Sequence, residues 1–414
     1  MKNGGFNAVI GNPPYVRIQG FPKEQVEYLT NKYATALKNC DLYVSFIEKG
    51  FQLLKADGIL GEILPNKFFK TDYGVGLRQL LSSSSSVFQI VDFGSSQVFD
   101  ASTYTALLFL KKGTSESFLY KACQADNSEL LNIPFSEFPA SSLTPDPWTF
   151  ADKTTSAIIS KLLQGSKKLL DLPAEMSRGS STGDDDVFVL ENGTLEVEKT
   201  ILRVPLFATD FGRYRFSLSD KWRIIFPYEV KNGKAALIDE GDLKKKFPKA
   251  YEHLQQNQPR LKKRKQFTKW FGYSAPRNLE LHNSAQIVVP LLADKGMFSI
   301  VPLAFRGKLC PMASGGFSIT ISKDCNLSEK YILGLLNSKL LFWNLQIMSN
   351  VFRGGWITCT KQYFGELPIH TIDFSNQTSK FTYEKIITLV DQMIDLSKRL
   401  IEAEEERAKK LFRS

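Results

Sequence analysis

"FNAVIGNPPYVRIQG" (residues 6–20) runs small and apolar residues, Ala8, Val9, Ile10 and Gly11, straight into Asn12-Pro13-Pro14-Tyr15. Two successive prolines cannot donate to a β ladder and break a helix interior, so a buried strand over 6–10 must stop here. The stretch therefore sets an amide, two rigid residues and an aromatic ring at one end of a sheet.

Outward from this point, residues 6–112 alternate strands and helices. Val26–Tyr33 and Leu42–Leu54 have helical periodicity, the second aligning Leu42, Phe46, Ile47, Phe51 and Leu54 on one face. "GILGEILP" (58–65) reads as a buried strand after a turn at Asp57-Gly58. A helix begins at Leu77–Leu81 and dissolves in Ser82–Ser86, and "VFQIVDFG" (87–94) and "YTALLFLKK" (104–112) are further strands. The alternation predicts a parallel-type α/β sheet. The short loop before the last strand predicts an antiparallel edge. Residues 116–150 are polar and then proline-rich, which predicts a connector between domains. Short β-like runs, "DVFVL", "RIIFPY", "AQIVVPLL" and "GFSITIS", with a helix over 328–349, predict a separate α+β domain over 151–372. In the C-terminal segment, 373–414, Ile386, Leu389, Met393, Leu396, Leu400 and Ala403 step by heptad spacing, and Ile387, Val390, Ile394 and Ile401 widen the apolar face. Such a helix packs on its own domain or pairs with a partner helix.

The composition limits the chemistry. A 414-residue chain with 43% hydrophobic and 12% aromatic residues is globular and too long for one ordinary core. No stretch of twenty apolar residues occurs, so a soluble, cytoplasmic protein without membrane contact is expected. Five scattered cysteines and three scattered histidines give little material for zinc or histidine-centred catalysis, and no metal site is expected. Lys and Arg exceed Asp and Glu by 53 to 43, which favours a polyanionic partner.

Asn-Pro-Pro-Tyr at a strand end suits the methylation of an exocyclic amine. The adenine amine is a poor nucleophile because its lone pair is delocalised into the ring. The Asn12 side-chain oxygen and the Pro13 carbonyl can each accept one N–H, drawing the nitrogen toward tetrahedral geometry. The prolines hold those acceptors rigid, which limits reorganisation at the transition state. Tyr15 offers a ring on which a base can stack once it has left the duplex.

Residues 6–112 resemble the later half of an adenine-N6 DNA methyltransferase, with "NPPY" as the catalytic motif. "DLYVSFIEKGFQLLKADGILGEILPNKFF" (41–69) resembles the helix, strand and proline-containing loop that follow it in that family, and "VFDASTYTALLFLKK" the stretch whose aromatic residue meets the flipped adenine from its other side. The resemblance gives that role to Phe99, or failing it to Tyr104. "RGSSTGDDDVFVL" (178–190), "ILRVPLFATDFGRYRF" (201–216), "FPKAYEHLQQNQPRLKKR" (247–264), "ILGLLNSKLL" (332–341) and "YFGELPI" (363–369) resemble the TaqI-type specificity domain of type IIG restriction–modification enzymes and related phage-defence methylases. The implied architecture is a partial Rossmann-like α/β methyltransferase sheet (1–115), a connector (116–150), an α+β target-recognition domain (151–372) and a long C-terminal helix (373–414).

The resemblance implies S-adenosylmethionine as methyl donor and double-stranded DNA as substrate. In the family the Gly-rich loop and ribose-binding acid lie before the catalytic motif, and only eleven residues precede Asn12. A fragment that carries NPPY but does not hold the cofactor tightly is therefore expected, and its cofactor-binding residues are unassigned. For DNA, "RLKKRKQFTKWFGY" (260–273) sets cations, among them Lys262, Lys263, Arg264 and Lys269, among Phe267, Trp270, Phe271 and Tyr273. Arg178, Thr182 and Gly183 of "RGSSTG", Arg213 and Tyr214 of "DFGRYRF", and Arg353 of "FRGGW" are the other candidates. Two other readings stand beside the methyltransferase. One is a non-catalytic DNA-binding specificity module that assembles with other subunits through the terminal helix. The other is a scaffold, which leaves NPPY unexplained.

Overall fold

Strand β1, Phe6–Gly11, pairs in parallel with β2, Leu54–Pro65. Between them come helices α1, Lys23–Lys32, and α2, Tyr43–Leu53, which supply the crossover that parallel strands require. Helix α2 buries Tyr43, Val44, Ile47 and Phe51, one helical stripe, in the core. The computed structural model describes residues 4–99, 103–124, 133–194, 196–231 and 233–411. The chain divides into two units, 1–156 with 346–355, and 157–345 with 356–414.

The first unit holds a six-stranded sheet. Helix α3, Val75–Ser84, is followed by β3, Val87–Asp92, β4, Thr105–Lys111, β5, Ser117–Ala122, and β6, Ser136–Pro139. Their order is β1-β2-β4-β3-β5-β6, with β4 antiparallel to both β2 and β3. The expected antiparallel edge is thus an interior strand. The reason lies in the expected connector, which contributes β5 and β6 to the sheet and Trp148 and Phe150 to the core. The true edge at the other end is β1, which was expected to be buried. With a neighbour on one side only, it leaves Ile10 88% exposed. The turn expected at Asp57-Gly58 is a bulge inside β2: Asp57 takes a left-handed φ of 61°, and the β1 register jumps from Leu54 to Ile59.

Arg78 of α3 locks the loop after β2. Its buried guanidinium donates to the carbonyls of Phe68 (2.5 Å), Thr71 (2.8 Å) and Pro145 (2.8 Å). The segment 346–355 belongs to this unit too. Lys70 Nζ donates to the Ser349 carbonyl at 2.7 Å, and the Tyr104 and Phe352 rings meet edge-on at 6.2 Å.

The second unit contains two four-stranded sheets. One orders Leu309–Pro311, Leu202–Leu206, Trp222–Ile225 and Val189–Glu191; the other orders Ser299–Ile300, Ile287–Val289, Phe317–Ile321 and Ala174–Arg178. The helix expected over 328–349 is two, Glu329–Leu336 and Lys339–Met348. The terminal helix, Gln377–Leu411, packs on Glu329–Leu336 through Val390 and Ile386. Gly334 permits the approach, since a Cβ there would lie 2.9 Å from Val390 and 3.0 Å from Ile386. The heptad residues Leu389, Met393, Leu396 and Leu400 are exposed on the other face. Among the described residues no helix is long and apolar enough to cross a membrane.

Candidate active site and nucleic-acid interface

Strands β1, β2 and β3 run in one direction, so their C-terminal ends share one rim of the sheet. Asn12 stands exposed there, at the end of the edge strand, followed by buried Pro13. Tyr15 is half-buried, donates its hydroxyl to the Ile63 carbonyl of β2 (2.9 Å) and meets Tyr43 edge-on at 6.4 Å. Burial, and then the nearby Glu62, push its phenol up to about 12, so it stays a neutral donor. The NPPY turn is thereby tied to the neighbouring strand.

The rest of the rim is cross-linked. At the end of β2, Asn66 Nδ2 donates to Asp92 Oδ1 (2.8 Å) and to the Gly94 carbonyl (2.9 Å), both at the end of β3. The Asn66 amide donates to the Tyr104 carbonyl at 3.0 Å. Phe99, the expected second stacking ring, lies in the loop after β3 and is 38% exposed, while Tyr104 is engaged with Phe352. Lys70 is enclosed here, and burial lowers its pKa to about 8. By strand direction, Asn12, Tyr15, Phe99 and Tyr104 all lie in segments that adjoin this rim of the sheet. Arg353 belongs to the same unit rather than to the expected recognition domain, but its side chain lies outside the described residues. Its neighbours Gly354 and Gly355 both have φ of 79°, a turn that only glycine makes without strain.

Two polar residues that the sequence reading passed over stand out beside Asn12. Glu62, on β2, shares the buried face of Leu60 and Leu64 and is 5% exposed. Its alternation within "GILGEILP" is the signal: a lone charge at the parity of the core leucines. Burial pushes its carboxyl up to about 7. Ser45 of α2 is equally buried. Both line a cavity of about 460 Å³ that also touches Asn12 and Pro13. S-adenosylmethionine would need donors for its amino-acid end and a carboxylate for its ribose. The cavity offers mostly apolar wall with Asn12, Ser45, Lys49 and Glu62, and these residues do not by themselves fit that group. Among the described residues no cluster of His, Cys, Asp or Glu could hold a metal.

In the second unit the basic-aromatic stretch separates into two classes. Trp270, Phe271 and Tyr273 are core, and Phe267 alone of the four rings is exposed. Arg264 donates to the carbonyls of Leu261 (2.9 Å), Thr182 (2.5 Å) and Trp270 (2.6 Å), bracing the loop from within. Arg260 is held by Asp184 and Asp186 at 2.5–2.7 Å. Lys262, Lys263, Lys265 and Lys269 remain exposed with no ion pair among the described residues. Thr182 is buried with its hydroxyl on Asp185, and Gly183 adopts φ of 79° against Ser274 and Arg264. Tyr214 is buried at φ of 57°, and Arg213 donates to the Asn337 carbonyl at 3.1 Å. Arg178 is exposed at the end of its strand. Lys262, Lys263, Lys265, Lys269 and Arg178 thus present cations to solvent with no ion pair among the described residues, whereas Arg264, Thr182 and Tyr214 hold the fold.

The first unit thus carries Asn-Pro-Pro-Tyr at the end of a parallel strand, and the second exposes a run of lysines. Known proteins share parts of this chain. Residues 1–99 match the family described as the Eco57I restriction-modification methylase. The chain is 29% identical over 430 residues to the type II restriction enzyme and methyltransferase RM.Eco57I of Escherichia coli, covering 93% of this chain and 42% of that one. It is 27% identical over 332 residues to the type II methyltransferase M.BstVI of Geobacillus stearothermophilus, covering 71% of this chain and 57% of the relative. Among solved structures, the type IIL restriction-modification enzyme MmeI, determined in complex with DNA, matches with a TM-score of 0.59 at 14% identity. That match covers 93% of this chain and 49% of MmeI, and it shows a shared fold. The chain spans about half the length of each of these three proteins.

Proposed function

We propose that this chain is the catalytic-motif and DNA-recognition portion of an adenine-N6 DNA methyltransferase of a restriction-modification system. The observation that carries the reading is the NPPY turn on the sheet rim, with Asn12 exposed, Pro13 fixed and Tyr15 anchored to β2. Asn12 Oδ1 and the Pro13 carbonyl accept the two N–H bonds of a flipped adenine amine and localise its lone pair. Rigid acceptors of this kind act without reorganising as the nitrogen gains positive charge. Tyr15 packs one face of the base, and Phe99, on the loop across the rim, packs the other. S-adenosylmethionine supplies the electrophilic methyl when bound. Its main binding elements are proposed to lie in polypeptide outside this chain, so this chain by itself should show no saturable cofactor binding in calorimetry.

The second unit is assigned to duplex DNA. Lys262, Lys263, Lys265 and Lys269 engage phosphates and Arg178 reads bases; Arg353, in the first unit, is the other candidate for base reading. The exposed heptad face of the terminal helix is available for another subunit of such a system.

The decisive assay digests duplex DNA methylated by the complete enzyme that contains this chain and identifies the modified nucleoside. N6-methyladenine is expected, and Asn12→Ala should lower turnover by about 10²–10³, a barrier of roughly 2.7–4 kcal/mol, as for loss of one oxyanion-hole donor. A methylated cytosine product, or near-normal turnover in the variant, would overturn the assignment.

A further inference from the structure

The free side of β1 adjoins the cavity that contains Glu62. Among the described residues β1 is bonded to β2 alone, and Phe6 and Ile10 project into solvent at 53% and 88% exposure. The cavity, about 460 Å³, opens between this strand, the end of α1 and one face of α2. Two polar groups more than nine-tenths buried line it, and neither is satisfied: Glu62 Oε2 and Ser45 Oγ have no hydrogen-bond partner among the described residues. Space for the carboxyl is built in by two glycines. A Cβ on Gly11 would lie 3.2 Å from Glu62 Oε1, and one on Gly50 would lie 3.5 Å from the same atom and 2.5 Å from Leu60.

Among the described residues, none of the surrounding titratable groups pairs with Glu62. Tyr15 donates to the Ile63 carbonyl, Glu48 accepts from the Thr35 amide at 2.9 Å, Tyr33 forms part of the wall, and Lys49 stands exposed at the rim without an ion pair to it. A buried carboxyl with one oxygen unpartnered calls for a donor, and the long apolar wall calls for a stem to carry it. Lysine and arginine have that shape. A second copy of β1 could not supply one, because Phe6–Gly11 contains no basic residue.

We infer that this cavity receives a lysine or arginine side chain from a partner polypeptide strand laid along the free edge of β1, its cation on Glu62 and a second N–H on Ser45. The inference rests on the reading that polypeptide outside this chain completes the sheet, as the half-length match to the relatives suggests. It adds which residue locks that polypeptide in place. The weakened acidity of Glu62, its carboxyl pushed up to about 7 by burial, agrees with a carboxyl lacking its cation, and a bound cation favours the ionised form.

The test titrates the purified chain, followed by NMR, with three probes: the strand-forming peptide acetyl-Val-Arg-Val-amide, its citrulline counterpart, and n-butylguanidinium. The arginine peptide should bind saturably and shift both the β1 amides and Glu62. n-Butylguanidinium should shift only the Glu62 region, and the neutral citrulline peptide should bind at least tenfold more weakly. Affinity for the arginine peptide should fall at least tenfold in Glu62→Gln and severalfold in Ser45→Ala. It should also fall about 30-fold from pH 8 to pH 5.5, as a carboxyl titrating near 7 becomes protonated. Equal binding of the citrulline peptide, or an unchanged affinity in folded Glu62→Gln, would overturn the cation site. If n-butylguanidinium binds while the arginine peptide does not, the polypeptide occupant is overturned. None of these readouts involves methyl transfer, so failure of the adenine assignment would leave them standing.

Discussion

The lysine face of the second unit makes a quantitative forecast. Residues 260–273 contain six cations and no acidic residue, yet the fold leaves only four of them free. Arg260 is neutralised by Asp184 and Asp186, and Arg264 is turned inward onto three carbonyls. Each phosphate neutralised releases counterions and contributes about −0.9 to the slope of log affinity against log salt. Four lysines then give a slope of about −3.6, so affinity for duplex DNA should fall about 150-fold between 50 and 200 mM salt. Substituting both Lys262 and Lys263 by alanine should flatten the slope to about −1.8, equally for cognate and scrambled duplexes. Arg260→Ala should leave it unchanged, because that charge is already paired. Fluorescence anisotropy across a salt series measures all of this. A slope near −5.4, as six free cations would give, would refute the division between paired and free charges. Undetectable binding at low salt would refute the interface itself.

Other expectations follow from single side chains. Glu62 has its carboxyl raised from 4.5 to about 7 on folding, so the folded chain holds that proton more tightly than the unfolded one. Stability should be fullest below about pH 4.5 and decline as pH rises through 7, by on the order of 3 kcal/mol since about 2.5 pH units separate the two values, and denaturant titrations of Glu62→Gln should lack that decline. Arg78→Met strands the buried carbonyl of Phe68 and the part-buried one of Thr71 and should cost at least about 3 kcal/mol in urea unfolding; a loss within about 0.5 kcal/mol, as for an ordinary surface change, would contradict its bracing role. Leu396→Glu and Leu400→Glu, on the exposed face of the terminal helix, should each change stability by less than about 0.5 kcal/mol while weakening any association through that face, read by sedentation-equilibrium analysis.

The local sequence determined where β1 must end and what stands at its end, because two prolines forbid both continuations of the chain and leave Asn12 and Tyr15 at a rim. It gave the crossover helix but misjudged its face: of the expected stripe Leu42, Phe46, Ile47, Phe51 and Leu54, Phe46 is exposed, and Tyr43 and Val44 turn into the core instead. It also carried the heptad step of the terminal helix, though not which face the domain would cover. Pairing partners were beyond it. Whether β1 is central or an edge depends on which strands lie beside it, and hydrophobicity alone reads the same in both cases. The segment read as connector became β5 and β6 because its few apolar residues meet a sheet already formed by distant strands. The fate of the basic run shows the same limit. Six like charges look equivalent along the chain, and only the tertiary structure, by bringing Asp184 to Arg260 and the Thr182 carbonyl to Arg264, decides which charges are left for DNA.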